Sequence, residues 1–141
     1  MIDTSNWRLV GRSVNADYFE IEPRVLGGVA HQGARDTLET ARENVALLHD
    51  YFRQAGPGHM IYFIDRMSDQ TSGARSVYRD ETLPELALCV TLLVGSALSR
   101  AIAAFFTGLS RPRMPLRVMT DLDQALEWGR QVRAEHDARS Q

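Results

Sequence analysis

The chain has 141 residues, which fits one domain of ordinary size, and we treat residues 1–141 as a single domain. Hydrophobic residues make up 44% and charged residues 24%, a balance that excludes a disordered, collagen-like or disulfide-dense chain. The formal net charge of −2 argues against nucleic-acid binding, and because all 16 basic residues are arginine, a Walker phosphate loop and a lysine Schiff base are excluded as well.

Hydropathy and cysteine content predict a cytoplasmic location. Residues 1–8 have neither the basic start nor the apolar core of a signal peptide, and the most hydrophobic stretch, Leu86–Gly95, is too short to span a bilayer. The single cysteine, Cys89, lies in that stretch and has no second cysteine in the chain with which to form a disulfide. We therefore expect a reduced, cytoplasmic protein without a membrane span.

The first 30 residues have the pattern of an antiparallel meander. Three runs rich in β-forming residues, 7–10, 18–22 and 25–30, are separated by turn residues. The pair Gly27-Gly28 indicates a bulge or a bend in the third strand.

Beyond residue 35 the apolar pattern alternates between helices and buried strands. An amphipathic helix opens with Asp36-Thr-Leu-Glu39, which has the spacing of a capping box, and ends at 56–58. Continuous apolar runs predict buried strands. The further predicted elements are strands over 60–64, 87–94 and 116–119, and helices over 71–79, over 98–109 and from about 120 onwards.

These elements predict a mixed α/β sheet with crossover helices, in the order β-β-β-α-β-α-β-α-β-α. The last helix should direct Leu122, Ala125, Leu126 and Val132 inward. We expect the core to cover about residues 7–132 and the tail over 135–141 to be frayed.

A series of motifs runs through the second half of the chain. The run Ala87–Arg100 joins an apolar strand to Gly-Ser and a helix start, and Phe105-Phe106, a proline-flanked turn over 111–115 and Asp121-Leu-Asp-Gln-Ala-Leu-Glu-Trp128 follow it. In these motifs the chain resembles the bacterial STAS/SpoIIAA-like family. The resemblance implies a mixed β-sheet flanked by about four helices.

The resemblance also implies a regulatory role. The anti-sigma-factor antagonists of this family bind a kinase-like protein until a Ser or Thr at a helix start is phosphorylated. The chain is therefore expected to be a non-catalytic protein-interaction module whose partner is a protein or a second copy of itself. Thr71-Ser72-Gly73 matches the end of the antagonists' Asp-Ser-Ser-Gly motif, with Gln70 in place of the Asp. Thr71 and Ser72 are thus the candidate phospho-acceptors, and both residue types also suit a helix N-cap.

Two helix starts form the candidate surface for a partner or an anion. Free backbone N–H groups at a helix start attract anions, and so do neighbouring guanidinium groups. The carboxyl ends of parallel strands meet at one edge of the sheet, which should place the two helix starts near each other. The candidates are Asp65, Arg66 and Arg75 around the first helix start, and Ser96, Ser99 and Arg100 around the second.

Two alternatives stay open from the sequence. A carrier of a small apolar ligand or lipid, as in SEC14-like folds, would need a cavity, for which the candidate lining residues are Phe105, Phe106, Met114, Met119 and Trp128. An enzyme would need His or carboxylate groups to converge on Ser72 or Ser96. The four histidines have no metal-ligand spacing, and we expect no metal and no cofactor.

Overall fold

The computed structural model describes residues 2–95 and 113–140 and shows a mixed sheet with helices on both faces. The strands are β1 (Arg8–Arg12), β2 (Ala16–Glu22), β3 (Val25–Ala30), β4 (Ala34–Asp36), β5 (Gly58–Phe63), β6 (Met67–Gln70), β7 (Ala87–Leu93) and β8 (Leu116–Met119). The helices are α1 (Leu38–Ala55), α2 (Ser72–Glu81) and α3 (Leu122–Arg139). The predicted helix over 98–109 lies outside the described residues.

The main sheet has six strands in the order β1-β2-β3-β5-β7-β8. The predicted antiparallel meander is confirmed for β1, β2 and β3, and β5, β7 and β8 each add as a parallel strand. This combination arises because a tight turn can join antiparallel neighbours, whereas parallel neighbours need a crossover connection.

The glycine pair in β3 does not mark a bulge. Gly27 and Gly28 pair regularly with β2, and the irregularities lie instead between Leu9 and Gly11 and between Glu20 and Glu22. A Cβ on Gly27 would lie 2.8 Å from the Ile21 side chain, and one on Gly28 would lie 2.9 Å from the Tyr18 ring. The two glycines are therefore needed because larger side chains cross over this strand on both faces.

Two short strands are absent from the predicted order. Within the described residues the order is β-β-β-β-α-β-β-α-β, followed by β-α, because β4 and β6 form a separate two-stranded parallel sheet. The sequence Met67-Ser-Asp-Gln70 has no alternation of apolar residues, so periodicity could not reveal it. Hydrogen bonds hold this sheet, including those from Ser68 Oγ to the carbonyl groups of Gly33 and Ala34.

Helix α1 begins one residue later than its predicted capping box. Thr37 is the N-cap, and its hydroxyl accepts a hydrogen bond from the Thr40 amide while the Thr40 hydroxyl accepts one from the Thr37 amide. Asp36 and Glu39 are thus not the capping pair. The end of α1 is as predicted, because Gly56 adopts a φ of 102°, which favours glycine.

The sheet separates two apolar clusters. Alternate residues of β5 point to opposite faces, so that Met60 packs with α1 and α2 while Ile61 packs with α3. Fully buried Leu48 and Phe52 of α1 are central to the first cluster, and Ala125 of α3 is central to the second.

Helix α3 continues to Arg139 and so includes most of the tail over 135–141. Arg24 donates through Nη1 and Nη2 to the two carboxylate oxygens of Asp137, over 2.8 and 3.0 Å. The same guanidinium donates through Nε to the carbonyl of Pro57. A two-bond arginine–carboxylate pair therefore fixes the last turns of α3 to the turn before β3.

We expect Asp137→Ala to loosen the end of α3 because Arg24 then loses its carboxylate partner. Amide hydrogen exchange should become several-fold faster over residues 134–140 and stay unchanged in β5. Glu135→Ala is the matched control, since Glu135 is an exposed acidic residue on the same helix. Equal effects of the two substitutions would contradict a specific role for the Arg24–Asp137 pair.

Candidate functional site

The ends of β5 and β7 lie close together, as predicted. Asp65 follows β5, and its Oδ1 accepts a hydrogen bond from the amide of Gly95, which follows β7, over 3.0 Å. The Asp65 side chain is exposed. Ser96, Ser99 and Arg100 lie outside the described residues.

The two candidate phospho-acceptors have different surroundings at the start of α2. Thr71 is the N-cap, and its hydroxyl accepts from the Ala74 amide over 3.1 Å. Ser72 is the first residue of the helix and is exposed. Arg75, one turn later, donates through Nη1 to the carbonyl of Gln70, and the carbonyl of Arg66 accepts from the Gly33 amide.

A cavity of about 290 Å³ lies between α2 and the parallel strands. Its apolar wall comes from β5, β7 and β8 and from the segments beside them, which no single stretch of sequence could indicate. The apolar lining residues are Ile64, Met67, Val90, Leu92, Met114 and Leu116. Polar lining residues come mainly from α2 and its ends: Asp36, Tyr62, Gln70, Arg75, Tyr78, Arg79 and Thr82.

Two tyrosines occupy adjacent positions in the lining. The rings of Tyr62 and Tyr78 meet edge to face with centroids 5.5 Å apart, and Asn44 Nδ2 donates to the Tyr78 hydroxyl over 3.1 Å. Burial is the main cause that raises the pKa of each phenol far above its ordinary value, and the charge of nearby Asp36 raises both further. Both tyrosines therefore keep their protons at neutral pH and can donate hydrogen bonds.

Asp36 is the buried acidic residue of the lining, with 4% of its surface exposed. Its Oδ1 accepts from Thr40 Oγ1 at 2.6 Å and from Asn15 Nδ2 at 3.4 Å, and its Oδ2 accepts from Gln70 Nε2 at 3.0 Å. Its carbonyl accepts from the Thr71 amide. This role is not visible in the sequence, because Asp36 has the residue type and position of a helix cap.

The predicted cavity residues are only partly brought together. Met114 lines the cavity, whereas Met119 and Trp128 lie on the α3 side of the sheet, and Phe105 and Phe106 are outside the described residues. Trp128 packs edge to face against His59 with centroids 5.7 Å apart. The sequence located the aromatic residue on a helix but could not tell which face of the sheet that helix covers.

His59 is fully buried on the α3 side, with Nε2 hydrogen-bonded to Thr91 Oγ1 at 2.7 Å. Its Nδ1 has no hydrogen-bond partner in the described part of the chain and faces Gly129, where a Cβ would lie 2.1 Å away. Burial lowers the His59 pKa to about 4, and the positive charge of Arg133 contributes to this lowering. The negative charge of Glu22 acts in the opposite direction. His59 is thus neutral in the folded protein at pH 7.

We expect His59 to make the fold acid-sensitive. Between pH 6.5 and about 4 the unfolded chain binds a proton at this histidine and the folded chain does not, so stability falls as pH falls, by roughly 2 kcal/mol between pH 7.0 and 4.5. Urea unfolding at pH 7.0 and 4.5 measures this loss. His59→Gln removes the titrating group and retains a hydrogen-bonding amide, so its loss should be clearly smaller, and an equal loss in the variant would contradict the assignment.

Two kinds of feature are absent from residues 2–95 and 113–140. No three His, Cys, Asp or Glu side chains in these ranges are grouped so that they could hold a metal ion. No helix in the same ranges has both the length and the apolar character required to cross a membrane.

The fold and the cavity together define a mixed α/β domain with a largely apolar cavity between one helix and its sheet. The model of the family described as a domain of unknown function, DUF7793, matches residues 19–133, and the chain belongs to this family. A search of curated proteins finds no match.

A solved structure is similar to most of the chain. It is the crystal structure of an uncharacterized protein from the DUF3478 family with a SpoIIAA-like fold from Shewanella loihica PV-4. The similarity covers 92% of this chain and 99% of that one, with 14% sequence identity and a TM-score of 0.47.

Proposed function

We propose that the chain is a non-catalytic binding module of the STAS/SpoIIAA-like kind, which holds a small and mainly apolar molecule between α2 and the sheet. The observation that carries this proposal is the cavity of about 290 Å³ with its six apolar lining residues. Ligand pockets of proteins are largely apolar, with a few polar groups that fix orientation, and measure roughly 300–1,000 Å³. The cavity is close to the lower end of that range.

The size of the cavity limits the ligand. A volume of about 290 Å³ offers room for roughly ten water-sized groups. A bicyclic aromatic molecule or a medium-length alkyl chain has this size. Transfer of such a molecule from water would be favoured by about 25 cal/mol for each Å² of apolar surface that it buries.

We expect the neutral probe 2-methylnaphthalene to bind saturably and Val90→Phe to weaken its binding at least tenfold. Val90 is 6% exposed and lines the cavity, so the larger ring would occupy space that the ligand needs. Titration followed by the fluorescence of the probe measures the affinity, and circular dichroism checks that each variant is folded.

The control is Val118→Phe, the same change at a position on β8 that is 38% exposed and does not line the cavity. It should leave the affinity unchanged. Equal binding by the two folded variants would place the probe elsewhere and contradict the proposal.

A second candidate function is partner switching in the cytoplasm, with a protein or a second copy of this chain as the partner. The family resemblance suggests it, and the exposed position of Ser72 favours it. A phosphate on Ser72 would lie at the positive end of α2, where negative charge is stabilised. The Thr71 hydroxyl, in contrast, is engaged in capping the helix.

If this switch operates, protein purified from its own cells should carry one phosphate on Ser72 and none on Thr71. Intact mass and phosphopeptide mapping measure this. Ser76 serves as an internal control, because it lies on the same helix and its hydroxyl donates to the Ser72 carbonyl. A phosphate on Thr71, or an unmodified chain under all growth conditions, would contradict switching at Ser72.

A further inference from the structure

A second and smaller cavity adjoins the first one. Its volume is about 40 Å³, which offers room for roughly one water-sized group. The side chains that line both cavities are those of Asp36, Tyr62, Ile64, Met67 and Tyr78. We call the smaller cavity the small recess, and the buried side chains of Asn15, Tyr18 and Asn44 also line it. The small recess can therefore take one functional group of a ligand whose body lies in the larger cavity.

Hydrogen bonds fix how the two asparagine amides of the small recess are oriented. The Arg35 carbonyl and the Asp36 carboxylate can only accept, so the group of Asn15 that faces them, over 3.1 and 3.4 Å, is Nδ2. Asn15 Oδ1 then accepts from Asn44 Nδ2 over 3.0 Å. This leaves Asn44 Oδ1 as a buried acceptor that has no donor in the described part of the chain.

The small recess offers both a donor and acceptors to a ligand. The Tyr78 hydroxyl accepts from Asn44 Nδ2, and its high pKa keeps in place a proton that it can donate. The Asp36 carboxylate has about four acceptor sites, and three of them are used by the donors described above. Asn44 Oδ1 and this carboxylate can therefore still accept. A hydroxyl group, which both accepts and donates, matches this arrangement.

The charged side chains of the two cavities favour a ligand without charge. Arg79 is paired with both oxygens of Asp80, and Arg75 donates to the Gln70 carbonyl. An anionic group in the small recess would lie against the Asp36 carboxylate, and the like charges would repel each other. An ammonium group would bring three donors to a carboxylate with about one acceptor site left, and two guanidinium groups line the adjoining cavity.

We propose that the ligand is a neutral molecule with an apolar body and one hydroxyl group, which enters the small recess. This inference rests on the proposed function, because it names the chemical class of the ligand for the same cavity. The ligand hydroxyl accepts from the Tyr78 phenol and donates to the acceptors of Asn44 and Asp36, while the body packs against β5, β7 and β8. An apolar molecule of the same shape would leave these buried groups without partners, and such a loss discriminates strongly between ligands.

The test uses naphthalenes with different substituents of similar size at one position. The compound 2-naphthylmethanol is the alcohol, 2-ethylnaphthalene is its apolar counterpart, and 2-naphthoate and 2-naphthylmethylammonium carry opposite charges. Titration of the full chain at pH 7, followed by naphthalene fluorescence, should give at least fivefold tighter binding for the alcohol than for 2-ethylnaphthalene. Each charged compound should bind at least tenfold more weakly than the alcohol.

A further compound, 2-naphthaldehyde, isolates the donating role of the ligand hydroxyl. Its oxygen can accept from the Tyr78 phenol but has no proton to donate to Asn44 or Asp36. It should therefore bind several-fold more weakly than the alcohol. Equal affinities for the aldehyde and the alcohol would overturn the assignment of a hydroxyl group.

Tyr78→Phe removes the phenol that donates to the ligand and retains the ring. The variant should bind 2-naphthylmethanol several-fold more weakly and 2-ethylnaphthalene with unchanged affinity, which also reports that its cavity is intact. Tyr51→Phe is the matched control, because Tyr51 is a buried tyrosine that donates to Glu20 and does not line either cavity. This control should bind every compound like the unmodified chain.

The outcomes separate the two proposals. If the alcohol and 2-ethylnaphthalene bind equally well and Val90→Phe weakens both, the cavity binds ligands but the hydroxyl inference is wrong. Tightest binding of either charged compound would overturn the inference as well. If none of the compounds binds, the proposed function fails together with the inference.

Discussion

The buried carboxylate of Asp36 is the interaction on which this side of the molecule depends. Removing a carboxylate from water is costly unless hydrogen bonds replace the lost hydration. Here the donors come from separate parts of the chain: Thr40 in α1, Asn15 before β2 and Gln70 at the end of β6. The backbone of Asp36 also accepts from Thr71 at the start of α2. Satisfying one carboxylate therefore fixes the relative positions of two helices and the small second sheet.

The same connections hold the cavity open. The N-terminal end of α2 is fixed by the hydrogen bond from Thr71 to Asp36. At the other end of α2, Arg113 donates to the carbonyl groups of Asp80 and Thr82, and Arg42 of α1 pairs with Glu81. A helix held at both ends can span a space without collapsing into it. The cavity is thus a consequence of how α2 is attached.

The opposite face shows what happens where a helix can approach the sheet closely. Gly129 brings α3 against the His59 ring, at a distance that a side chain would forbid. Arg130 and Arg133 both donate to the Glu22 carboxylate, which holds the helix at the end of β2. On this face the helix packs directly against the sheet, and the histidine enclosed there has a lowered pKa. The two faces of one sheet therefore have different physical roles.

The sequence by itself determined the periodic elements, because apolar spacing is a local property: the meander, α1 with its glycine end, the buried β5 and β7, and the helix start at Thr71. It also indicated that strand ends meet at one edge, since parallel strands require it, and the Asp65 contact with Gly95 agrees. Only the tertiary structure decided the pairing of β4 with β6, the burial of Asp36 and the side of the sheet to which Trp128 belongs. These features depend on hydrogen bonds and contacts between residues far apart in the chain, for which a single sequence carries no periodic signal.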